Sequence, residues 1–250
     1  MYLCNKRIIN KDIDKGNTTM NYDKIFMTDL DGTIIYSQRH EFNAEKIPVD
    51  NYKDYIAFMN KHLYDSLDVF NKKVPFIPIT TRTLDQYERI KLPIIPNYAL
   101  VLNGAMLIKD GKIDGDWLDE SRRIITNYQS EMDLANKIIE SLIDAFHISK
   151  MQYVNQFFIF VKTEYPKELI ELLKRNLDLS KLDLYNKKSK VYVLPKPLSK
   201  GNALIRLKRR LHSNYVIAAG DSDMDIPMLN IANEVIPCEI LKEKGEYINE

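Results

Sequence analysis

The sequence predicts an α/β protein: a parallel sheet flanked by helices, interrupted by a second and smaller α/β unit. Three observations lead there. Short apolar runs alternate with helix-period patterns, the arrangement of βαβ units. Polar residues follow immediately after four of those runs. A long central stretch with its own hairpin and helix signals separates the third run from the last ones.

Taken in order, the core strands are expected at Lys24–Thr28, Val74–Ile79 (VPFIPI), Tyr98–Leu102 (YALVL), Tyr215–Ala219 (YVIAA) and, more weakly apolar, Glu234–Ile236. Between the first two, Tyr52, Tyr55, Ile56, Met59, Leu63, Leu67 and Phe70 fall on one helical face, which predicts a single helix. A second helix follows Ser199, with Ala203, Leu204, Leu207 and Leu211 spaced for burial. In the central stretch, Asp110-Gly111 in LIKDGKI is a hairpin signal. A helix over about Ser130–Phe146 places Leu134, Ile138, Leu142 and Ile143 on one side. MQYVNQFFIFVKT then reads as a strand, Pro166–Leu177 as a helix, and KLDLYN and KVYVLP as a closing strand pair. The chain thus divides into an extension over residues 1–22, a core over 23–104 and 195–250, and an inserted unit over 105–194.

Composition narrows the class. Apolar residues make up 45% and charged residues 28%, as in an ordinary globular protein. A net charge of +1 gives no electrostatic case for nucleic acid or an acidic membrane. The basic clusters Lys187-Lys188 and Lys208-Arg209-Arg210 read as solvated faces. Cys4 and Cys238 form neither a CxxC pair nor a zinc spacing, which fits a reduced compartment. No apolar run approaches the roughly 20 residues that cross a bilayer. The first twenty residues lack a secretory signal's apolar core and cleavage site, and Met20 is an alternative start. A cytoplasmic protein, monomer or homodimer, is expected. His40, His62, His147 and His212 form no cluster.

The residues after the strands carry the chemistry. Ligands of open parallel sheets bind outside the carboxyl ends of the strands. Asp29 and Asp31 in TDLDGT end the first strand, and Gly32 lets the chain fold back so that both carboxylates share one site. Asp221 and Asp225 in GDSDMD follow another strand. Four carboxylates converging on one edge need a cation, and Mg²⁺ favours such hard oxygen donors while retaining waters and phosphate. Thr80 in PITTR offers a hydroxyl and the next backbone N–H, at Thr81. Lys200 in SKGNAL begins a helix whose N-terminus favours an anion. Together these describe a phosphate site beside a metal site.

In this order the motifs DLDGT, PITTR, SKGNAL and GDSDMD resemble those of the haloacid dehalogenase (HAD) superfamily of phosphohydrolases. LVLNGAMLIKDGKI is similar to the cap entry of Cof-type members, and sucrose-phosphate-phosphatase-like proteins resemble the chain in the same places. The resemblance implies a Rossmann-like parallel-sheet core with an inserted α/β (C2-type) cap. It implies that Asp29 is the nucleophile, forming an aspartyl-phosphate, and that Asp31 protonates the leaving oxygen and later takes a proton from water. Thr80, Thr81 and Lys200 would hold the phosphoryl group. Mg²⁺ would be held by Asp29, the Asp31 carbonyl and Asp221, with Asp225 beside them. Asp31's place next to Asp29 is expected to raise its pKa, as an acid catalyst needs.

Arg82, directly after the second motif, and Asn103, at the cap entry, are candidate substrate contacts. In the cap the candidates are Trp117, Arg122, Arg123, Lys150, Gln152, Asn155 and Lys187–Lys190. Two positions depart from the Cof-type pattern: Thr81 stands where glycine is common and Met224 where asparagine is, and the tail after the fourth motif is short, ending at Glu250. The expected reaction is Mg²⁺-dependent hydrolysis of a small phosphorylated metabolite, with sugar phosphates the leading class. A phosphosugar mutase of phosphomannomutase type is the alternative. A receiver-like signalling module shares the residue set but places its phosphorylated aspartate on a later strand and lacks an insertion.

Overall fold

The computed structural model describes residues 22–38, 45–53 and 55–243. The extension expected over 1–22, with Cys4 and Met20, lies outside them except for Tyr22, and so do His40 and the last residues to Glu250. The first part of the chain forms β1 (Lys24–Thr28), β2 (Tyr36–Ser37), β3 (Lys46–Tyr52), β4 (Tyr55–Asn60), α1 (Lys61–Lys73), β5 (Phe76–Pro78), α2 (Leu84–Glu88) and β6 (Tyr98–Val101). The middle forms β7 (Met106–Lys109), β8 (Lys112–Ile113), α3 (Gly115–Thr126), α4 (Gln129–Ser141), β9 (Lys150–Val154), β10 (Phe158–Lys162), α5 (Pro166–Asn176), β11 (Leu182–Lys187) and β12 (Lys190–Pro195). The last part returns with α6 (Lys200–Leu211), β13 (Tyr215–Ala219), α7 (Ile226–Leu229), β14 (Glu234–Val235) and α8 (Cys238–Glu243).

The core sheet has the order β14-β13-β1-β5 and is parallel throughout. A parallel bridge between Ile79 and Leu100 attaches β6 beside β5, and β6 turns into an antiparallel sheet with β7 and β8. The carboxyl ends of β1, β5, β6 and β13 therefore share one edge. β1 reads as an unbroken apolar run because helices cover both its faces. Phe26 joins a cluster with Leu63, Leu67 and Phe70 of α1. Its neighbours Ile25 and Met27 point the other way, into a cluster with Ala203, Leu204, Leu207 and Leu211 of α6.

The single helix expected from Tyr52 to Phe70 is a strand pair followed by a shorter helix. Residues 55–60 are β4, antiparallel to β3, and bury Ala57 and Met59 at the strand period. Tyr52 and Tyr55 are exposed. Tyr55, Ile56 and Met59 fit a helical face, whereas the strand shows only in the alternation of Ala57 and Met59, a signal too short to prevail. The discriminating residue is Asn60, whose side chain accepts the N–H groups of His62 at 2.8 Å and Leu63 at 3.3 Å and so starts α1.

The second sheet, β11-β12-β10-β9, is antiparallel and carries α4 and α5. The strand expected across MQYVNQFFIFVKT is a hairpin, its turn made by Asn155 (φ 48°) and Gln156 (φ 62°). Asparagine tolerates this conformation, but without glycine the turn signal is weak. α4 buries Met132, Ala135 and Ile139, with Ile138 and Leu142 at the margin of the same cluster. Leu134 and Ile143, expected inside, are exposed.

α3 was not expected. Asp114 caps it, accepting the Trp117 N–H at 2.9 Å. Trp117, a cap candidate from the sequence, is buried against the core instead. Its indole N–H donates to the Gly104 carbonyl at 3.0 Å, and the Arg206 guanidinium lies 3.9 Å from its ring. A third apolar cluster joins the two sheets: Val101, Leu102, Met106 and Met224 on one side, Val154, Phe158 and Tyr192 on the other. No helix among the described residues is long and apolar enough to cross a membrane.

The turn out of β6 is the tightest point of the framework. Leu102, Asn103 and Gly104 all have positive φ (53°, 56° and 93°), and a Cβ on Gly104 would stand 2.4 Å from Ala203 Cβ. Gly104→Ala should lower the unfolding free energy by about 2–4 kcal/mol, combining backbone strain with a clash against α6. Urea unfolding should show a smaller cost for the same change in an Ala203→Gly background, leaving about 1 kcal/mol for the backbone.

Candidate active site

Asp29 follows β1 directly, and its N–H donates to the Ala219 carbonyl of β13 at 3.0 Å. The residue is 5% exposed. Lys200 opens α6, where Ser199 accepts the Asn202 N–H at 3.2 Å as the helix cap. The Lys200 ammonium is buried, 2.8 Å from Asp29 Oδ1 and 2.5 Å from Asp225 Oδ1. Asp225, just before α7, accepts the Ser222 N–H at 3.0 Å and the Ser222 hydroxyl at 2.7 Å on its other oxygen.

These contacts divide the two acids. Burial raises the Asp29 carboxyl well above its ordinary value, with Lys200 opposing and the Asp225 charge adding. Burial also works against charge on Asp225, but Lys200 and the Ser222 hydrogen bonds outweigh it and hold that carboxyl low. Lys200 is desolvated too, yet the two carboxylates keep it protonated, with its pKa raised.

Asp31 behaves differently from the expectation. Arg82 forks onto it, Nε donating to Oδ2 at 2.7 Å and Nη2 to Oδ1 at 2.7 Å. Burial favours the neutral acid, but the Arg82 hydrogen bonds and charge, helped by Lys190 and Lys187, pull the Asp31 pKa below its ordinary value. Bidentate pairing to a guanidinium overrides any push from Asp29. Arg82 Nη1 meanwhile donates to Asp50 Oδ2 at 2.6 Å and to the Gln86 carbonyl at 3.1 Å. Arg82 is thus occupied by protein acceptors rather than open to a substrate.

Asp50 is a residue that the sequence reading missed. It sits on β3 with a fully buried side chain, and Arg89 Nε lies 3.5 Å from its other oxygen. The available signal was an aspartate directly after Pro48-Val49 in a segment whose strand character went unrecognised.

Asp221 follows β13 and leans over the TDLDGT turn. Thr33 Oγ1 donates to its Oδ1 at 3.4 Å. Gly32 has φ +99°, and a Cβ there would lie 2.3 Å from Asp221 Oδ2, so only glycine admits the carboxylate. Carboxylate oxygens of Asp29, Asp221 and Asp225 lie within 4.8 Å of one another. A positive charge already stands at this place: Lys187 Nζ, from β11, is 2.9 Å from the Asp31 carbonyl oxygen and 3.0 and 2.9 Å from the two Asp221 oxygens. Hard oxygen donors that accept an ammonium in this way fit Mg²⁺.

The remaining candidates sort by contact. Thr80 is buried at the end of β5; its N–H donates to Leu100 and its hydroxyl accepts the Arg82 N–H at 3.2 Å. Thr81 is partly exposed beside it. Asn103 is buried and donates to the Leu198 carbonyl at 2.9 Å, tying the cap entry to the start of α6. Met224 lies in the apolar cluster that joins the two sheets. Arg122 pairs with Asp119 on the surface of α3, Asn155 forms a turn, and Lys150 lies 5.8 Å from the Phe160 ring. Of the expected cap contacts, Lys187 reaches the acidic edge, and the charge of Lys190 acts on Asp31.

No curated protein matches the chain. Among solved structures, the sucrose-phosphatase of Synechocystis sp. PCC6803, in complex with sucrose and phosphate, is similar at 18% identity and a TM-score of 0.53, covering 86% of this chain and 81% of its own. A trehalose-6-phosphate phosphatase related protein is similar at 13% identity and a TM-score of 0.52, covering 90% and 96%. The ATP-bound IMP-nucleotidase of Plasmodium falciparum gives 14% identity and a TM-score of 0.63, with 92% of this chain matched to 61% of that one. Residues 22–239 match the model of the sucrose-6F-phosphate phosphohydrolase family. The chain belongs to that family of HAD-type phosphoric monoester hydrolases, a Rossmann-like core carrying a cap.

Proposed function

We propose that the chain is a Mg²⁺-dependent phosphatase of a small phosphorylated sugar, working through an aspartyl-phosphate on Asp29. The carrying observation is the juxtaposition at one sheet edge of Asp29, the buried Lys200 that bridges it to Asp225, and the oxygen set of Asp31 and Asp221. The family match and the phosphate-bound sucrose-phosphatase support a sugar phosphate as substrate. The second sheet with α4 and α5 serves as the lid, closing over the edge from the β11–β12 side.

Asp29 Oδ attacks phosphorus as the bond to the leaving oxygen breaks, and Asp31 delivers a proton to that oxygen. Water then attacks the aspartyl-phosphate while Asp31 takes its proton, releasing phosphate and regenerating Asp29. Lys200 orients the Asp29 carboxylate and offsets charge on the phosphoryl oxygens. Thr80 and Thr81, at the end of β5, border the phosphoryl group. Bound Mg²⁺, held by Asp29, the Asp31 carbonyl and Asp221, would neutralise repulsion between a carboxylate nucleophile and an anionic ester. Because Arg82 holds Asp31 ionised, the first step requires Asp31 to leave that fork and acquire a proton when substrate binds.

Phosphate release from para-nitrophenyl phosphate tests this reading. Release should require Mg²⁺, stop in EDTA, and fall at least about a thousandfold in Asp29→Asn; equal rates in the two proteins would sink the nucleophile assignment. Sugar phosphates should yield net phosphate rather than an isomerised sugar, which separates hydrolysis from mutase action. The strut behind Asp31 makes an independent prediction. Asp50→Ala strips Arg82 and Arg89 of a buried counter-charge and should cost about 3 kcal/mol in urea unfolding. Asp50→Asn, which keeps an acceptor for Arg82, should cost less.

A further inference from the structure

Lys187 ends β11 at the β11–β12 hairpin, pairing across to Lys190 with Lys188 (φ 58°) in the turn. Its ammonium touches three oxygens of the core: the Asp31 carbonyl at 2.9 Å and both Asp221 carboxylate oxygens at 3.0 and 2.9 Å. A lysine ammonium has three N–H donors, so this one contact can satisfy all of them. The side chains are 32% and 18% exposed, which sets the contact apart from surface pairs such as Lys72–Asp68, at 71% and 54%. The contact also joins two sheets that otherwise meet through an apolar seam around Met224, Phe158 and Tyr192.

The oxygens that hold Lys187 are those assigned above to the divalent cation. The Lys187 ammonium stands among the Asp31 carbonyl and both Asp221 oxygens, the position the cation would take, and at such separation like charges repel strongly. We propose that Lys187 is the lid's own occupant of the cation site, so that the Lys187 contact and a bound divalent cation exclude one another at Asp31 and Asp221, and the lid closes over a cation-loaded site only with Lys187 turned aside. The cation enters as the β11–β12 hairpin lifts, and lid docking without metal parks the site in an inactive, charge-balanced state. Linkage makes the effect reciprocal: whatever factor the Lys187 contact takes from cation affinity, the cation takes from the contact. This inference rests on the cation site of the proposed phosphatase.

The test uses the full-length protein and two readouts independent of turnover. In calorimetric titration with Mg²⁺, Lys187→Gln should bind about three- to tenfold more tightly than wild type, and Lys187→Arg, which keeps the positive charge, should stay close to wild type. Spin labels at Lys167 on α5 and Lys72 on α1, with Cys4 and Cys238 replaced by serine, report lid position. In wild type their separation should lengthen or broaden when Mg²⁺ replaces EDTA; in Lys187→Gln it should already be so in EDTA. Unchanged or weaker Mg²⁺ binding in Lys187→Gln, or a wild-type separation indifferent to Mg²⁺, overturns the proposal. Failure of the phosphatase reading shows instead as absent phosphate release from the aryl ester, whatever these two readouts give.

Discussion

A buried ammonium organises the molecule's acidic edge. Lys200 has almost no contact with water, and a lone charge in that position would cost several kcal/mol. Asp29 and Asp225 offset the cost by sandwiching it, and in return it allows two carboxylates to sit together under a sheet edge. The geometry descends from the scaffold. Ser199 fixes where α6 begins, the α6 stripe of Ala203, Leu204 and Leu207 fixes how it lies on the sheet, and the Gly104–Ala203 approach fixes its distance from the cap entry. With Lys200 counted against two carboxylates, Asp221 leaves the edge still short of positive charge. That deficit is why an ammonium from another sheet settles there.

Much of this was legible in the sequence, for a physical reason. Parallel strands buried on both faces read as plain apolar runs, and polar residues ending such runs are conspicuous, so Asp29, Thr80, Asn103 and Asp221 could be placed on one edge before any coordinates. The resemblance to HAD phosphohydrolases rests on those same residues and is upheld by the family match. What escaped was set by competition between weak local signals. Tyr55, Ile56 and Met59 fit a helical face, and the strand shows only in the brief alternation of Ala57 and Met59 and in the capping role of Asn60. The Asn155-Gln156 turn carries no glycine. Asp31's proton was misjudged because sequence proximity to Asp29 is visible, whereas the guanidinium fork reaching across 51 residues from Arg82 is not.

The seam between the sheets gives a reading of Met224. At this departure from the Cof-type pattern, the chain has a buried side chain in one cluster with Val154, Phe158 and Tyr192. A thioether adapts to irregular gaps and gives up hydrogen bonding for contact area. The exchange favours a lid that rests on the core by apolar contact, with its polar anchorage concentrated at the β11 end.

Gly32 carries a different lesson, about how such chains are recognised. Its missing Cβ is the space in which the Asp221 carboxylate lies, although the two residues are far apart in the chain. The glycine of D-x-D-G-T is therefore a clearance gauge between two motifs, and the two are informative only jointly. A chain with both acidic motifs but alanine at this position would have to hold its distal aspartate elsewhere. Counting carboxylates would sort it with this protein, whereas checking the clearance would set it apart.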